Sequence, residues 1–338
     1  CLCPNASFGD TGTLIINGQS FTFTKRTEQN LRSLIDANSN DPQIALTFTS
    51  GINDMSNLFD GKSGFNQDIS KWDVSNVTTM FAMFRNTNFN QDISAWDVSN
   101  VLDMGDMFLL SSFNKPINNW QVDNVINMSG MFAATLFNKP LDNWNVANVN
   151  NMSSMFLQNT DFDQPINNWD VSNVTDMNSM FEGIAGESTT FNQDISDWDV
   201  SNVTNMDDMF KWSNFNQDIS GWCVEQIPNE PNDFIFNSAL ESNNMPLWGE
   251  SCSLNVLDIL YKNVKIYPNP TQDIVYIDSN SDITIDQFLV YDMSGKVVLH
   301  KSSENLRNID FSGLTKGIYI LKLFSKNKIN MSTKIFKL

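Results

Sequence analysis

One short template recurs along the middle of this chain, and no other feature restricts its possible folds as strongly. The segments FNQDISKWDVSNVTTMFAMF, FNQDISAWDVSNVLDMGDMF, FNKPINNWQVDNVINMSGMF, FNKPLDNWNVANVNNMSSMF, FDQPINNWDVSNVTDMNSMF and FNQDISDWDVSNVTNMDDMF begin at Phe65, Phe89, Phe113, Phe137, Phe162 and Phe191. Successive copies are offset by 24, 24, 24, 25 and 29 residues, and 24 more lead to Phe215, which opens a half copy. MSNLF at Met55 is another half copy, before the array. The 29-residue step holds an insertion, GIAGESTT at 183–190, which a surface loop would tolerate.

Within each copy the apolar positions are fixed: Phe, Ile or Leu, Trp, two Val, two Met and a closing Phe. This order sustains neither a period of 2 nor one of 3.6, so no long strand or helix fits and the chain must turn several times per copy. A lone coil of this kind cannot hide its apolar side chains, whereas a stack of coils can. The pattern therefore predicts a repeat solenoid, with a short strand near 67–71 and a short helical turn near 79–84 in each unit. Pro116, Pro140 and Pro165 cannot donate to a ladder and are expected at the strand's start.

The polar positions recur as well. Asn66, Asn90, Asn114, Asn138, Asn192 and Asn216 follow the Phe, and Asn76, Asn100, Asn124, Asn148, Asn173 and Asn202 precede a Val. Both sets read as structural, satisfying turn backbone groups. Asp68, Asp92, Asp194 and Asp218 share one position, and Asp73, Asp97, Asp170 and Asp199 another. They read first as a solvated acidic face, with calcium binding between stacked carboxylates as an alternative. Trp72, Trp96, Trp120, Trp144, Trp169, Trp198 and Trp222 are expected in the core, or, if exposed, as a carbohydrate-stacking platform. Met pairs such as Met80 with Met83 are expected to fill core space.

Charge divides the chain. Residues 51–222 hold 22 acids against 6 bases, net -16, whereas residues 256–338 hold 8 acids and 11 bases, net +3. An acidic repeat region repels phosphate backbones, so nucleic acid is excluded as a partner. No stretch of 18 apolar residues is present, so no transmembrane segment is expected. His300, the sole histidine, lies outside the repeats, which excludes a Ser-His-Asp or Cys-His site there. Recurring acids also argue against catalysis, which needs one pair in distinct environments. The chain reads as non-enzymatic, with no cofactor apart from the calcium alternative.

Four cysteines occur, Cys1, Cys3, Cys223 and Cys252. Cys223 with Cys252 is the favoured disulfide, stapling one end of the array in an oxidising compartment. Structural zinc fits poorly, since no histidine is near and the spacing matches no zinc pattern. An opening Cys1 in place of Met reads as the trace of a removed export signal, with lipid attachment at Cys1 as a further reading.

Four regions follow. Residues 1–50 are expected to cap the array, with Asn17 and Gly18 turning a hairpin and Thr27 capping a helix that carries Leu31, Leu34 and Ile35. Residues 51–227 form the array, and 228–256 form the other cap and a linker. Residues 257–338 change character: VKIYP, DIVYID, FLVYDM, KVVLH, GIYILKLF and TKIFKL are short strand-like runs separated by PNPTQD, MSGK and LTKG. They predict a small all-β antiparallel sandwich.

The repeats resemble those of the BspA-like bacterial surface proteins, through the phrase W-D-V-S-N-V-T-x-M-x-x-M-F followed by F-N-Q-D-I over roughly residues 50–227. The resemblance implies a leucine-rich-repeat-like, curved stack with a parallel sheet along one face, and a surface role in adhesion or interaction with a protein or glycan partner. A structural surface-coat spacer without a dedicated ligand, or a calcium-stabilised carbohydrate binder, are the alternatives. Residues 257–338 resemble the type A sorting domain of the type IX secretion system of Bacteroidota. The matching pieces are YPNP (Tyr267, Pro268, Asn269, Pro270), VYDMSGKVV with Asp292 and Gly295, and LTKGIYILKL with Gly317 and Tyr319. That resemblance implies recognition by the type IX secretion machinery, export through the periplasm, removal of the domain, and a final place on the cell surface or outside the cell.

Overall fold

Left-handed residues decide the local conformation of the repeats. In the computed structural model, which describes residues 6–16, 18–250, 264–279, 284–293, 295–303, 305–325 and 328–338, positive φ recurs at Ala82 and Asn86, at Asp106 and Leu110, at Gly130 and Ala134, and at Ser154 and Gln158. A left-handed residue at every fourth position ends any helix or strand before it can propagate. The segment from the first Met to the closing Phe is therefore a chain of tight turns. Met83 N–H donates to Met80 O at 3.1 Å and Arg85 N–H to Ala82 O at 3.2 Å. The intervening N–H groups leave the repeat: those of Met80, Ala82, Phe84 and Asn86 donate to the carbonyls of Asp103, Gly105, Met107 and Leu109 at 2.8–2.9 Å.

This overturns the expected leucine-rich-repeat-like solenoid of short parallel strands and short helical turns. No strand forms at 67–71 or its equivalents, and 79–84 is not helical. Parallel pairing between repeats is confined, among the described residues, to isolated single residues: the row Asp54, Thr79, Asp103, Asn127, Asn151, Asp176 and Asn205, and the pair Thr189 with Ser213. The described residues contain one α-helix, and their three sheets are small and antiparallel apart from one two-residue pair.

The chain divides into two compact units, residues 1–250 and 251–338. The first begins with a hairpin, β1 (Thr11–Ile16) against β2 (Gln19–Lys25), turning through Gly18 at positive φ. Helix α1 (Glu28–Ala37) follows, where the Thr27 hydroxyl accepts Asn30 N–H at 3.1 Å. Two residues, β3 (Thr47–Phe48), pair parallel with β2. Leu31 and Ile35 of α1 bury against the same core as the repeats, and Arg32 ties the helix to Ser56 O at 2.9 Å.

That core is a column of rings. The two Phe of each repeat junction stack closely, as in Phe84 with Phe89 and Phe108 with Phe113, both at 4.0 Å. Phe108 lies 5.7 Å from Phe84 and 5.8 Å from Phe132, carrying the stack into both neighbouring repeats. Each such buried side chain contributes about 1.5–3 kcal/mol through area removed from water, and none is buried without its neighbours.

Side chains complete the contact. Asn90 N–H donates to Asn66 Oδ1 and Asn114 N–H to Asn90 Oδ1, at 2.9 and 3.0 Å. Asn100 and Asn124 donate their amides back to Ser75 O and Ser99 O at 2.7 and 2.8 Å. Both asparagine sets are thus structural, each binding the repeat before it.

The second unit has two sheets. One holds β4 (Val264–Tyr267), β5 (Ile274–Ser279) and β8 (Asn308–Asp310); the other has the order β10 (Lys328–Lys337), β9 (Gly317–Ser325), β6 (Gln287–Tyr291), β7 (Val297–Ser302). Their facing sides, among them Val275, Ile309, Phe288, Val290, Leu321, Leu323 and Ile335, form one core.

Candidate functional site

The largest departure from the template makes a groove of about 490 Å³ in the repeats, lined by Asn90, Ser112, Asn114, Leu136, Gln158, Thr160, Ile184 and Glu187. One wall is the insertion. Gly183 N–H donates to Lys211 O at 2.8 Å, Ile184 and Glu187 close a small loop, and the Thr189 hydroxyl donates to Phe181 O at 2.8 Å. Exposed aliphatic side chains line the groove, Leu136 at 61% and, on the insertion itself, Ile184 at 39%, with Leu110 at 56% next in sequence to the lining residue Ser111.

A one-residue lengthening of the repeat that begins at Phe137 shapes the floor. Asn159 takes the place of Thr87, Ser111 and Thr135, donating to Thr135 Oγ1 at 3.2 Å and Phe137 O at 3.0 Å. The inter-repeat bonds from Asn88 N–H to Ser63 O, Ser112 N–H to Thr87 O and Asn214 N–H to Thr189 O have no counterpart at Leu136 or Thr160 among the described residues.

Ion pairs flank this stretch. Arg85 pairs with Asp60 at 2.5 Å and Asp106 at 3.8 Å; Lys211 pairs with Asp208 at 2.7 Å, Asp233 at 3.0 Å and Glu182 at 3.9 Å. The hydrogen bond from Arg85 lowers the Asp60 carboxyl, while burial raises those of Asp106 and Glu182. Hydrogen bonds to Asp208 and Asp233 raise the Lys211 ammonium. At the positions of Arg85 and Lys211, the repeats between them carry Leu109, Ala133 and Leu157, then Glu182. The middle of the column is neutral and apolar.

The recurring acids serve the turns. Asp68, Asp92, Asp194 and Asp218 each accept the N–H of the Ser two residues on, at 2.9–3.1 Å, and Asp73, Asp97, Asp170 and Asp199 do the same. No group of three or more His, Cys, Asp or Glu is placed to hold a metal among the described residues. The seven recurring tryptophans, Trp72 to Trp222 at the template position, are buried, and each of their indole N–H groups donates to an Ile or Leu carbonyl of the preceding repeat, or to Ile44 O for Trp72, at 3.0–3.3 Å. They offer no platform to a sugar.

These turns contribute to the acid response. Hydrogen bonds from Ser94, Ser172 and Ser196 hold Asp92, Asp170 and Asp194 below the ordinary aspartate value. A lowered folded value makes the contribution whole above about pH 4, the unfolded range, and lost as pH falls through the folded values. Asp106 and Glu182, raised by burial, act in the opposite sense, so substitution must isolate the turns. Asn145 accepts Ala147 N–H at 3.3 Å in the same geometry without titrating. Thermal melts followed by circular dichroism are expected to decline below about pH 4, and an Asp92→Asn, Asp170→Asn, Asp194→Asn variant to decline less. Parallel curves for the two proteins would remove the turn carboxylates as the cause.

In the second unit the register of the strands collects the motif residues at one end of the larger sheet. Gly317 pairs with Lys337, Tyr319 with Ile335, and Ile320 with both Lys334 and Tyr291, so Asp292 follows at the same end. Asn269 donates to Lys334 O at 2.8 Å and accepts Phe336 N–H at 2.9 Å, while Thr271 bonds Phe336 and Leu338. The Tyr267–Pro268 and Asn269–Pro270 peptide bonds are cis. Asp292 accepts Lys296 N–H at 3.1 Å across a turn in which Gly295 has positive φ. Tyr319 is buried, its hydroxyl donating to Thr315 O at 2.8 Å, whereas Tyr267 is exposed and stacks on Tyr276 at 5.9 Å. Most of the motif is spent on shaping this end of the sheet.

Cys223 is disulfide-bonded and stands where four of the six full repeats carry Asp and the other two Gln121 and Asn145; the proposed partner Cys252 lies outside the described residues. Of the groove, sequence reasoning found only the insertion. Leu110, Leu136 and Gln158 sit at the template positions whose residue type varies most, and that variability was the available signal.

Residues 29–141 and 128–248 match the family described as Mycoplasma protein of unknown function, DUF285. The chain belongs to this family. Residues 265–337 match the secretion system C-terminal sorting domain. No curated protein and no solved structure matches the chain. The family match spans the repeats and the groove; the sorting-domain match spans both sheets of the second unit. The protein is exported by type IX secretion to the cell surface or the extracellular space, and its second unit is what the secretion machinery recognises. No helix among the described residues is long and apolar enough to cross a membrane.

Proposed function

We propose that the repeat unit is a non-catalytic adhesion or interaction module, BspA-like in its repeats and displayed by a member of the Bacteroidota, and that the groove beside residues 183–190 receives a protein partner. One observation carries this reading: exposed Leu136 and Ile184 line the groove, with exposed Leu110 next in sequence to its Ser111, in the stretch between the Arg85 and Lys211 clusters. Exposed apolar groups rimmed by polar ones are the usual mark of a contact surface. The amide and hydroxyl lining, with aliphatic walls, suits an extended protein segment that offers backbone groups and an apolar side chain. The lining holds no aromatic ring for a sugar to stack on.

The full chain, probed on arrays of extracellular-matrix proteins and glycans, is expected to bind protein spots. Leu136→Asp with Ile184→Asp is expected to weaken that binding at least about tenfold, the loss of about 1.4 kcal/mol or more from a central contact. Binding confined to glycans, or unaffected by the double substitution, would move the function away from the groove. Silence on every spot would favour a surface spacer.

A further inference from the structure

Among the described residues of the second unit, one sheet face is apolar and uncovered. β6 reads QFLVY and β9 reads GIYILKLFS, apolar on both sides of the strand apart from Gln287, Lys322 and the terminal Ser325. Strands of that kind belong to sheets covered on both faces, whereas a sheet with one wet face alternates apolar with polar residues. Among the described residues one face alone is covered: Phe288, Val290, Leu321 and Leu323 point into the core, and Ile318, Ile320 and Tyr291 point away from it. The cross-strand register extends the outward rows, pairing Ile318 with Phe336, Ile320 with Tyr291 and Tyr291 with Val297. Ile318, Phe336 and Val297 are each more than two-fifths exposed.

Charge on the face has one sign. Lys334 pairs with Ile320, and Lys322, in the next row, holds its ammonium 5.3 Å from the Tyr291 ring centre; no carboxylate occupies the paired outward positions. The motif residues Asn269, Gly295, Gly317 and Tyr319 hold the strands at the same end of this sheet. From this we infer that the outward face of β6, β9 and β10, centred on Ile320, Tyr291 and Phe336, is the surface by which the secretion machinery grips the domain, through a protein component whose docking site is apolar with an acidic rim. The inference concerns the sorting domain and stands or falls apart from the groove.

The full chain, expressed in a host that secretes by the type IX route, provides the test. Ile320→Glu with Phe336→Glu is expected to cut the secreted fraction at least tenfold and leave the chain in the periplasm, with the melting temperature of the purified protein unchanged. Lys322→Glu with Lys334→Glu is expected to cut it several-fold; should the first variant melt early, this exposed pair decides. Tyr276→Glu, on the outer side of the other sheet, is expected to be secreted normally. Normal secretion of both face variants, or a block by Tyr276→Glu alone, would overturn the assignment. So would a wild-type dimer in sedimentation that the face variants dissociate while secretion continues, since the face would then belong to a second copy.

Discussion

Phe108→Ala is expected to destabilise the repeat unit by about 3–5 kcal/mol, the range for removing a fully buried ring. Phe108 has no exposed surface and touches three rings, Phe84 and Phe132 in the neighbouring repeats and Phe113 at 4.0 Å. Removing it leaves a cavity that neither neighbour can fill, because each repeat is pinned to the next by its backbone. Phe84 N–H donates to Met107 O and Phe108 N–H to Met131 O, at 2.9 and 3.0 Å, so collapse would break bonds on both sides. At about 2–4 °C per kcal/mol for a unit of this size, the melting temperature should fall by roughly 6–20 °C. Leu136→Ala removes a side chain that is 61% exposed and should change stability by no more than about 0.5 kcal/mol. Phe108→Ala together with Phe113→Ala should cost less than the sum, since each ring already loses its partner in the single variant. A Phe108→Ala melt within about 1 kcal/mol of the parent would refute the ring column as the main source of cohesion.

The same residues show what the sequence could disclose. Burial was legible, because an apolar position kept through every copy has one use, and the Phe, Trp, Val and Met positions are buried throughout. Thr27 and the hairpin that turns at Gly18 were legible for a local reason: caps and tight turns depend on neighbours in sequence. Backbone conformation was not. Bulky Leu110 and Trp212 occupy left-handed φ, which side chains of that size disfavour, and no composition rule announces it. They are held there because their N–H groups donate to Ala133 O and Phe236 O, each about one repeat away. A non-local ladder thus overrides local preference, and the short helical turn expected at 79–84 becomes a run of alternating turns. The acids were legible in part: seven of the eight are exposed, as a solvated face requires, the exception being Asp73. What the charge pattern did not disclose is that each one also accepts an N–H two residues away, as Asn145 does without a charge. The groove was not legible because its lining comes from four repeats and lies largely at positions where the template does not constrain the residue.

Gly183→Val is expected to destabilise the unit by about 3 kcal/mol, combining overpacking of about 1–3 kcal/mol with a disrupted hydrogen bond. A Cβ at this position would lie 2.2 Å from Trp212 O and 2.8 Å from Glu187 O, both backbone atoms that cannot rotate away. Residues equivalent to Gly183 in the preceding repeats, Leu110, Ala134 and Gln158, are left-handed and carry side chains; Gly183 is not left-handed, and the insertion leaves the template from it. The clash begins at the first carbon, so Gly183→Ala should be nearly as harmful as Gly183→Val, an outcome that conformational preference alone would not give. Gly221→Ala, where a Cβ meets nothing within 4 Å, is the matched control and should stay within about 0.5 kcal/mol of the parent. Displacing the chain at Gly183 should also free the loop of Ile184 and Glu187. Their mutual N–H to O bonds, at 3.1 and 2.9 Å, should then exchange faster with solvent, and the groove should lose its wall before the unit as a whole unfolds. Hydrogen exchange at Ile184 and Thr189 that matched the parent, with Gly183→Ala as stable as Gly221→Ala, would mean that the insertion does not depend on this close approach.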